Sequence, residues 1–252
     1  MEKDYAKIAK ETRLEVLKMI HRAKTSHIAS NFSAVDLAVV LYENADHSKD
    51  KICWSKGWSA ALIYSLLARH GFIPKEDLDK FPNAPYLGLV EPPINGIYGA
   101  GGSMGHLLPI AVGMALGKKL KGEEGKIYCV MSDGELNEGT TWESAALASH
   151  HKLDNLVVLI DANKWQAMGR TSEVLNFEPI ENVWRGFKWY VERVDGHNYQ
   201  ELDGVINARF HWPTAIICDT IKGKGVLFFE NSLLYHYKNV SDEEYEKAML
   251  EL

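Results

Sequence analysis

Cysteine is too scarce and too scattered in this chain to frame a fold: three residues in 252. Cys53, Cys129 and Cys218 lie in separate apolar stretches, at no zinc-ligand spacing and in an odd number. That pattern excludes a disulfide framework and reads as reduced core thiols in a cytosolic protein. No run of about eighteen apolar residues is present, so no membrane-spanning helix is expected. The start, Met1-Glu2-Lys3-Asp4, has no apolar core of the secretory type. The formal net charge is −6 and no basic stripe accompanies it, which argues against a general nucleic-acid binder. Internal repeats and low-complexity tracts are missing as well, so neither a repeat array nor a biased tail organises the chain.

What is there is ordinary apolar content and enough length for one α/β domain. Residues 1–252 are therefore read as a single domain. Residues 5–22 space Ile8, Leu14, Leu17 and Ile20 among charges, the pattern of an amphipathic helix. Ser33-Ala34-Val35-Asp36 resembles a capping box opening a second helix. A short buried strand ends at Trp54-Ser55-Lys56-Gly57, and a helix is expected to run on to Arg69. Residues 73–101 are rich in proline and glycine and are read as one long active-site loop, because an ordered helix follows at once. Pro109 suits the first turn of that helix, where its missing N–H costs little. From Ile127 onward, strands at 127–131, 156–161, 190–194 and 214–219 alternate with helices near 138–151, 179–186 and 199–210. Such alternation predicts a doubly wound, mostly parallel sheet with helices on both faces. A last helix is expected after Ser241-Asp242-Glu243-Glu244, whose acids complement the helix dipole.

Chemistry concentrates at two of the strand ends. The apolar run Lys126-Ile127-Tyr128-Cys129-Val130-Met131 leads into Ser132-Asp133-Gly134-Glu135-Leu136-Asn137-Glu138-Gly139. Leu156-Val157-Val158-Leu159-Ile160 leads into Asp161-Ala162-Asn163. In open α/β sheets, ligands bind beyond the carboxyl ends of the strands. A carboxylate from Asp133 and an amide oxygen from Asn163 can therefore face one hard cation. So few protein oxygens suit Mg²⁺ shared with a phosphate group. Gly134 lets the backbone approach that phosphate closely. Taken alone, Asp133 could equally be a turn aspartate, and Asp161 could merely shape its own turn.

The wider pattern resembles transketolase. Asp133-Gly134, a spacer of about thirty residues and Asn163 resemble the thiamine diphosphate motif of that family. Trp142-Glu143, Lys152-Leu153-Asp154-Asn155-Leu156, Lys222-Gly223-Lys224-Gly225 and the spacing of Asn163, Gln166 and Gly169 all fit it. Ser26-His27-Ile28, Asn31-Phe32-Ser33 and Glu230-Asn231-Ser232 are similar to short N-terminal subunits of sugar- and polysaccharide-biosynthesis type. The resemblance implies thiamine diphosphate and Mg²⁺ as cofactors, and transfer of a two-carbon ketol unit from a ketose donor to an aldehyde acceptor. It implies metal ligation by Asp133, Asn163 and the backbone carbonyl of Trp165. Gly102, Ser103, Met104, Asp133, Gly134, Glu135, Asn163, Lys222 and His236 are the implied cofactor contacts. His27, His236 and Glu138 are the implied catalytic groups, with Glu143 completing an acidic pair; His106 closes the cofactor loop.

The family's activating glutamate lies in a separate pyrimidine-binding domain that the match does not include. The resemblance therefore implies half an active site, completed by a C-terminal transketolase subunit, as an α2β2 complex in the cytoplasm. Two positions depart from the pattern. Trp58 and Leu89 stand where family histidines face cofactor and donor sugar, which implies a drier pocket and weak use of the usual pentulose-phosphate donor; the resemblance to the sugar-biosynthesis subunits implies a modified or nucleotide-linked sugar acceptor. Two alternatives stay open: another thiamine diphosphate enzyme, such as a 1-deoxyxylulose-phosphate synthase-like or dehydrogenase component, and a non-catalytic subunit that keeps the fold.

Overall fold

The computed structural model describes residues 3–252; Met1 and Glu2 lie outside the described residues. The chain opens with three helices, α1 (Tyr5–Ala23), α2 (Ile28–Ser33) and α3 (Val35–Asn44), and then forms β1 (Lys51–Trp54) and α4 (Ala60–Arg69). Between Arg69 and Leu107 the only regular piece is a 3₁₀ turn at Lys75–Lys80. Strand and helix then alternate: α5 (Leu107–Lys121), β2 (Ile127–Ser132), α6 (Gly139–His150), β3 (Leu156–Ala162), α7 (Thr171–Val174) and α8 (Ile180–Gly186). β4 (Tyr190–Asp195), α9 (Tyr199–Asn207), β5 (Thr214–Asp219), α10 (Leu234–Tyr237) and α11 (Asp242–Glu251) complete it.

The five strands form one sheet in the order β1-β2-β3-β5-β4, and every pair is parallel. Parallel pairing demands a crossover between neighbours, and the helices supply it on both faces. Side-chain alternation sorts the core accordingly. Tyr128, Val130, Val157, Leu159 and Ile216 pack with α1, α3, α4 and α9 on one face. Ile127, Cys129, Met131, Val158, Ile160 and Ile217 pack with α5, α6 and α8 on the other. All three cysteines are buried and unpaired within these layers. Among the described residues, no helix is long and apolar enough to cross a membrane.

The parallel, doubly wound α/β architecture is as the sequence predicts, and Pro109 does fall in the first turn of α5. One local expectation fails. Ser33 does not cap α3: it closes α2, and its hydroxyl donates to Ser30 O and, at 2.7 Å, to Asp161. Asp36 likewise turns inward to Arg13 instead of back to the helix start. Long-range partners override the local capping pattern at both positions. The genuine capping box belongs to α11: Ser241 and Glu244 exchange bonds with each other's backbone N–H, and the helix starts one residue after Ser241.

Trp184, fully buried on the α8 face, stands edge-on to Trp189 with ring centroids 4.7 Å apart and tilts against Trp142 at 5.4 Å. Trp184→Ala should cost about 3–5 kcal/mol of unfolding free energy, read as a lowered denaturant midpoint at unchanged slope.

Candidate active site

Register at the sheet centre builds the site. Ser132 pairs with Asp161, Asp161 with Cys218, and Ala162 with Asp219, so three strands end level with one another. Their last residues, with the loops that follow, floor a cavity of about 760 Å³. Its wall includes His27, Ser30, Lys56, Trp58, Leu89 and Gly102–Met104. Gly134, Glu138, Glu143, Asn163, Trp165, Lys222 and His236 also line it.

Close backbone contact brings the Gly102–Met104 loop to this wall. Gly57 N–H donates to Gly101 O at 3.0 Å. A Cβ on Gly57 would lie 2.2 Å from that oxygen, and one on Gly101 would lie 2.5 Å from Trp54 O. Only two glycines allow the segments to cross there. Glu135 anchors the far end of the loop. Its carboxylate accepts from Gly105 N–H at 2.9 Å and from the Ser55 hydroxyl, and its other oxygen has no partner among the described residues. Burial pushes the Glu135 carboxyl up to about 7. It stands behind the loop and not on the cavity wall.

Asp133 is also fully enclosed. One carboxylate oxygen accepts from Gly134 N–H at 2.9 Å; the other accepts from Lys164 N–H at 2.8 Å and from the Thr171 hydroxyl at 2.9 Å. It makes no ion pair among the described residues. Burial, with Asp161 nearby, pushes its carboxyl up to about 7. A divalent cation would reverse that push, and so a hard cation fits here. Asn163 presents the complementary oxygen. Its Nδ2 donates to Asp161 at 3.1 Å, which leaves Oδ1 to accept from Trp165 N–H at 3.0 Å with a lone pair to spare. The Trp165 ring is covered by the Arg170 guanidinium, 4.5 Å from its centroid.

Opposite these acids stand two buried ammonium groups. Lys56 donates to Ser30 O at 2.7 Å, to the Ser33 hydroxyl at 3.0 Å and to Asp161, which uses all three of its N–H bonds. Burial pushes the Asp161 carboxyl up, but the Lys56 charge and hydrogen bonds from Lys56, Thr220 and Ser33 pull it below its ordinary value. Lys222 is different. It donates to Ser30 Oγ at 3.3 Å and to His236 Nδ1 at 3.0 Å, which leaves a third N–H without a carboxylate partner. Burial and the Lys56 charge lower it to about 8. An anion such as a diphosphate fits that unpaired cation.

His27 and His236 face each other edge to face, 4.9 Å between centroids. Burial, Lys222 and Lys56 hold His27 down to about 4. Burial, Lys222 and His27 hold His236 down to about 3. Both are neutral at physiological pH. Because Lys222 donates to His236 Nδ1, the His236 proton resides on Nε2. His27 sits at φ 72°, a region uncommon for a non-glycine residue and often found at working sites.

Of the sequence candidates, His27, Gly102, Ser103, Met104, Gly134, Glu138, Asn163, Trp165, Lys222 and His236 share the one cavity wall; Asp133 and Glu135 lie just behind it. Sequence reasoning misses Lys56 and Ser30. The signal at Lys56, a lysine two residues past a buried strand, is legible only as a strand end.

The family model for transketolase, thiamine diphosphate binding domain, matches residues 5–251. The chain belongs to the transketolase family. It is a transketolase-type transferase chain, corresponding to the N-terminal, thiamine diphosphate-binding part of that family. A transketolase family protein of Sinorhizobium fredii is 36% identical over 258 residues, covering 96% of this chain and 92% of that one. A 6-deoxy-6-sulfo-D-fructose transketolase subunit of Clostridium sp. is 33% identical, covering 94% and 91%. An apulose-4-phosphate transketolase subunit of Phocaeicola vulgatus is 30% identical, covering 97% and 92%. The crystal structure of transketolase from Campylobacter jejuni superposes with a TM-score of 0.92 at 27% identity, over 99% of this chain but 43% of that one. Transketolase subunits of this length thus align end to end, whereas a full transketolase extends well beyond the match.

Lys222 gives the site a pH signature. An anion bound there raises the lysine pKa from about 8. Affinity is then fully present below that value and is lost as pH rises through the higher, bound-state pKa. Calorimetry with Mg²⁺–thiamine diphosphate from about pH 7 to about pH 9.5 should show affinity falling by up to about tenfold per unit in the upper range. A flat profile would exclude Lys222 from the anion site.

Proposed function

We propose that this transketolase chain is the diphosphate-binding subunit of a two-chain enzyme, holding thiamine diphosphate and Mg²⁺ for use with a partner chain. The carrying observation is a pair of buried charges without ion-pair partners at one cavity: the Asp133 carboxylate just behind its wall and the Lys222 ammonium on it. Asp133, Asn163 and the Trp165 carbonyl would ligate Mg²⁺. Lys222, Gly134 and the Gly102–Ser103–Met104 loop would take the diphosphate, with Glu135 fixing that loop from behind. When bound, thiamine diphosphate supplies the carbanion chemistry that moves a two-carbon ketol unit from a ketose to an aldehyde. Neutral His27 and His236 suit hydrogen bonding and proton transfer at the reacting end. Glu138 and Glu143 form the acidic side of the wall.

The whole described chain is read as one diphosphate-binding domain, with 73–101 as its active-site loop; Leu89 is the part of that loop on the cavity wall. The partner is a C-terminal, pyrimidine-binding transketolase subunit. An α2β2 assembly in the cytoplasm is the simplest closed arrangement. Buried, unpaired thiols agree with a reducing compartment. Met168, Leu234 and Tyr237 are exposed apolar side chains near or on the segments of the wall, and would be covered by such a partner.

Assembly is tested by turnover. The chain alone should convert no ketose, and mixing with the partner should restore it. In the assembled complex Asp133→Ala should abolish Mg²⁺-dependent cofactor binding by calorimetry, since an amide and a carbonyl leave the diphosphate charge poorly neutralised. Activity without a partner, or unchanged affinity in the variant, would refute the reading.

Substrate choice follows from Trp58 and Leu89, both on the cavity wall. Neither can relay protons as imidazole does. The donor or acceptor is therefore a modified or nucleotide-linked sugar in preference to an ordinary pentulose phosphate. The sulfosugar and apulose phosphate in the names of two relatives agree with substrate divergence among such subunits. The double change Trp58→His with Leu89→His should raise activity on xylulose 5-phosphate more than the single changes together, because the two share one pocket. No gain from the double variant would release these positions from specificity.

A further inference from the structure

Behind the cavity lies a second polar cluster that touches none of its wall. Its centre is Asp36 on α3, almost fully buried. Arg13 of α1 grips both carboxylate oxygens, at 2.9 and 2.6 Å. The Tyr199 hydroxyl donates to one oxygen at 2.8 Å, and His197 Nδ1 lies 2.7 Å from the other. Two arms extend from this cluster to the loop between β5 and α10. His197 Nε2 lies 2.8 Å from Ile221 N, and Arg13 Nε donates to Lys224 O at 3.0 Å. The residues gripped are the neighbour of Lys222 on one side and the next residue but one on the other.

The His197 tautomer follows from its partners. A peptide N–H can only donate, so Nε2 accepts from Ile221 and carries no proton. The ring proton is on Nδ1 and is donated to Asp36. Glycines make room for the grip. A Cβ on Gly225, at φ +106°, would sit 3.0 Å from Arg13 Cδ and Nε. A Cβ on Gly223, at φ +81°, would lie 2.3 Å from Phe229 O. Two further loop bonds beside Lys222, Gly223 N–H to Ala29 O at 2.9 Å and Asn231 N–H to Lys222 O at 2.8 Å, run from backbone to backbone.

We propose that His197 is a positioning residue for cofactor binding: backed by Asp36, it fixes the Ile221 peptide and thereby aims the Lys222 ammonium at the diphosphate. This rests on the reading that Lys222 holds that diphosphate. The two ring nitrogens can be separated by substitution. In His197→Gln the amide oxygen replaces Nε2 and can still accept from Ile221. In His197→Asn the amide nitrogen replaces Nδ1 and can still donate to Asp36, but the Ile221 acceptor is gone. Tyr199→Phe removes a bond to Asp36 while leaving the Ile221 link intact.

The test is calorimetric titration of Mg²⁺–thiamine diphosphate into the assembled complex, with thermal unfolding of each variant alongside. His197→Asn should weaken binding about tenfold, the loss expected when a half-buried peptide donor next to the contact is stranded. His197→Gln should stay within about threefold of the parent, and so should Tyr199→Phe even where its melting temperature falls. Parent-like affinity in His197→Asn, or an equal loss in Tyr199→Phe, would overturn the proposal and leave the cluster a stabilising one. Lys222→Met supplies the separate check: if it binds like the parent, the Lys222 reading fails first and the proposal with it.

Discussion

The cavity floor depends on one fully buried carboxylate. Asp161 accepts from Lys56, Ser33, Thr220 and Asn163, and so ties the end of β1, the end of α2 and the end of β5 to β3. Removing one partner of a buried ion pair typically costs about 3–5 kcal/mol, because the other charge is left unpaired. The consequence here goes beyond stability. Asp161 claims the nitrogen of Asn163 and thereby turns its oxygen outward. It also satisfies Lys56, so that Lys222 is the ammonium left free to meet an anion.

That division of labour accounts for the electrostatics of the site. Two lysines and two aspartates lie within one buried region, but they are paired unequally. Lys56 and Asp161 neutralise each other. Asp133 and Lys222 form no ion pair with each other, one pushed up and the other down by burial and by the like charge beside it. A magnesium diphosphate would satisfy both at once, metal toward Asp133 and phosphate toward Lys222. Burial, helped by the same positive field, keeps His27 and His236 neutral near pH 7, so that each ring carries a single proton.

Much of the architecture was legible because it is locally encoded. Apolar runs ending in Asp133 and Asp161 marked β2 and β3, and the alternation that followed predicted a parallel sheet. Helix ends were less legible where distant groups intervene: Ser33 looked like a cap and became a donor to Asp161, some 128 positions away. Asp36 shows the same limit, since its partners come from two distant parts of the chain, Arg13 in α1 and His197 with Tyr199 at the start of α9. The wall residues with motif neighbours, Asn163, Lys222 and His236 among them, could be found by resemblance. Lys56 could not, because its role is fixed by a strand register that no local pattern announces.

The contact from Arg13 to the carbonyl of Lys224 joins residues 211 positions apart. In synthesis α1 therefore precedes this contact by about 200 residues and lacks it until the loop after β5 has been made. β1 waits too, since its pairing partner begins at Ile127. Burial of Arg13 is accordingly a late event in synthesis, and the N-terminal helices pass through a period in which chaperones can hold them and proteases can reach them. Disruption of the loop that carries Lys224 would thus be felt far back in the sequence, in α1.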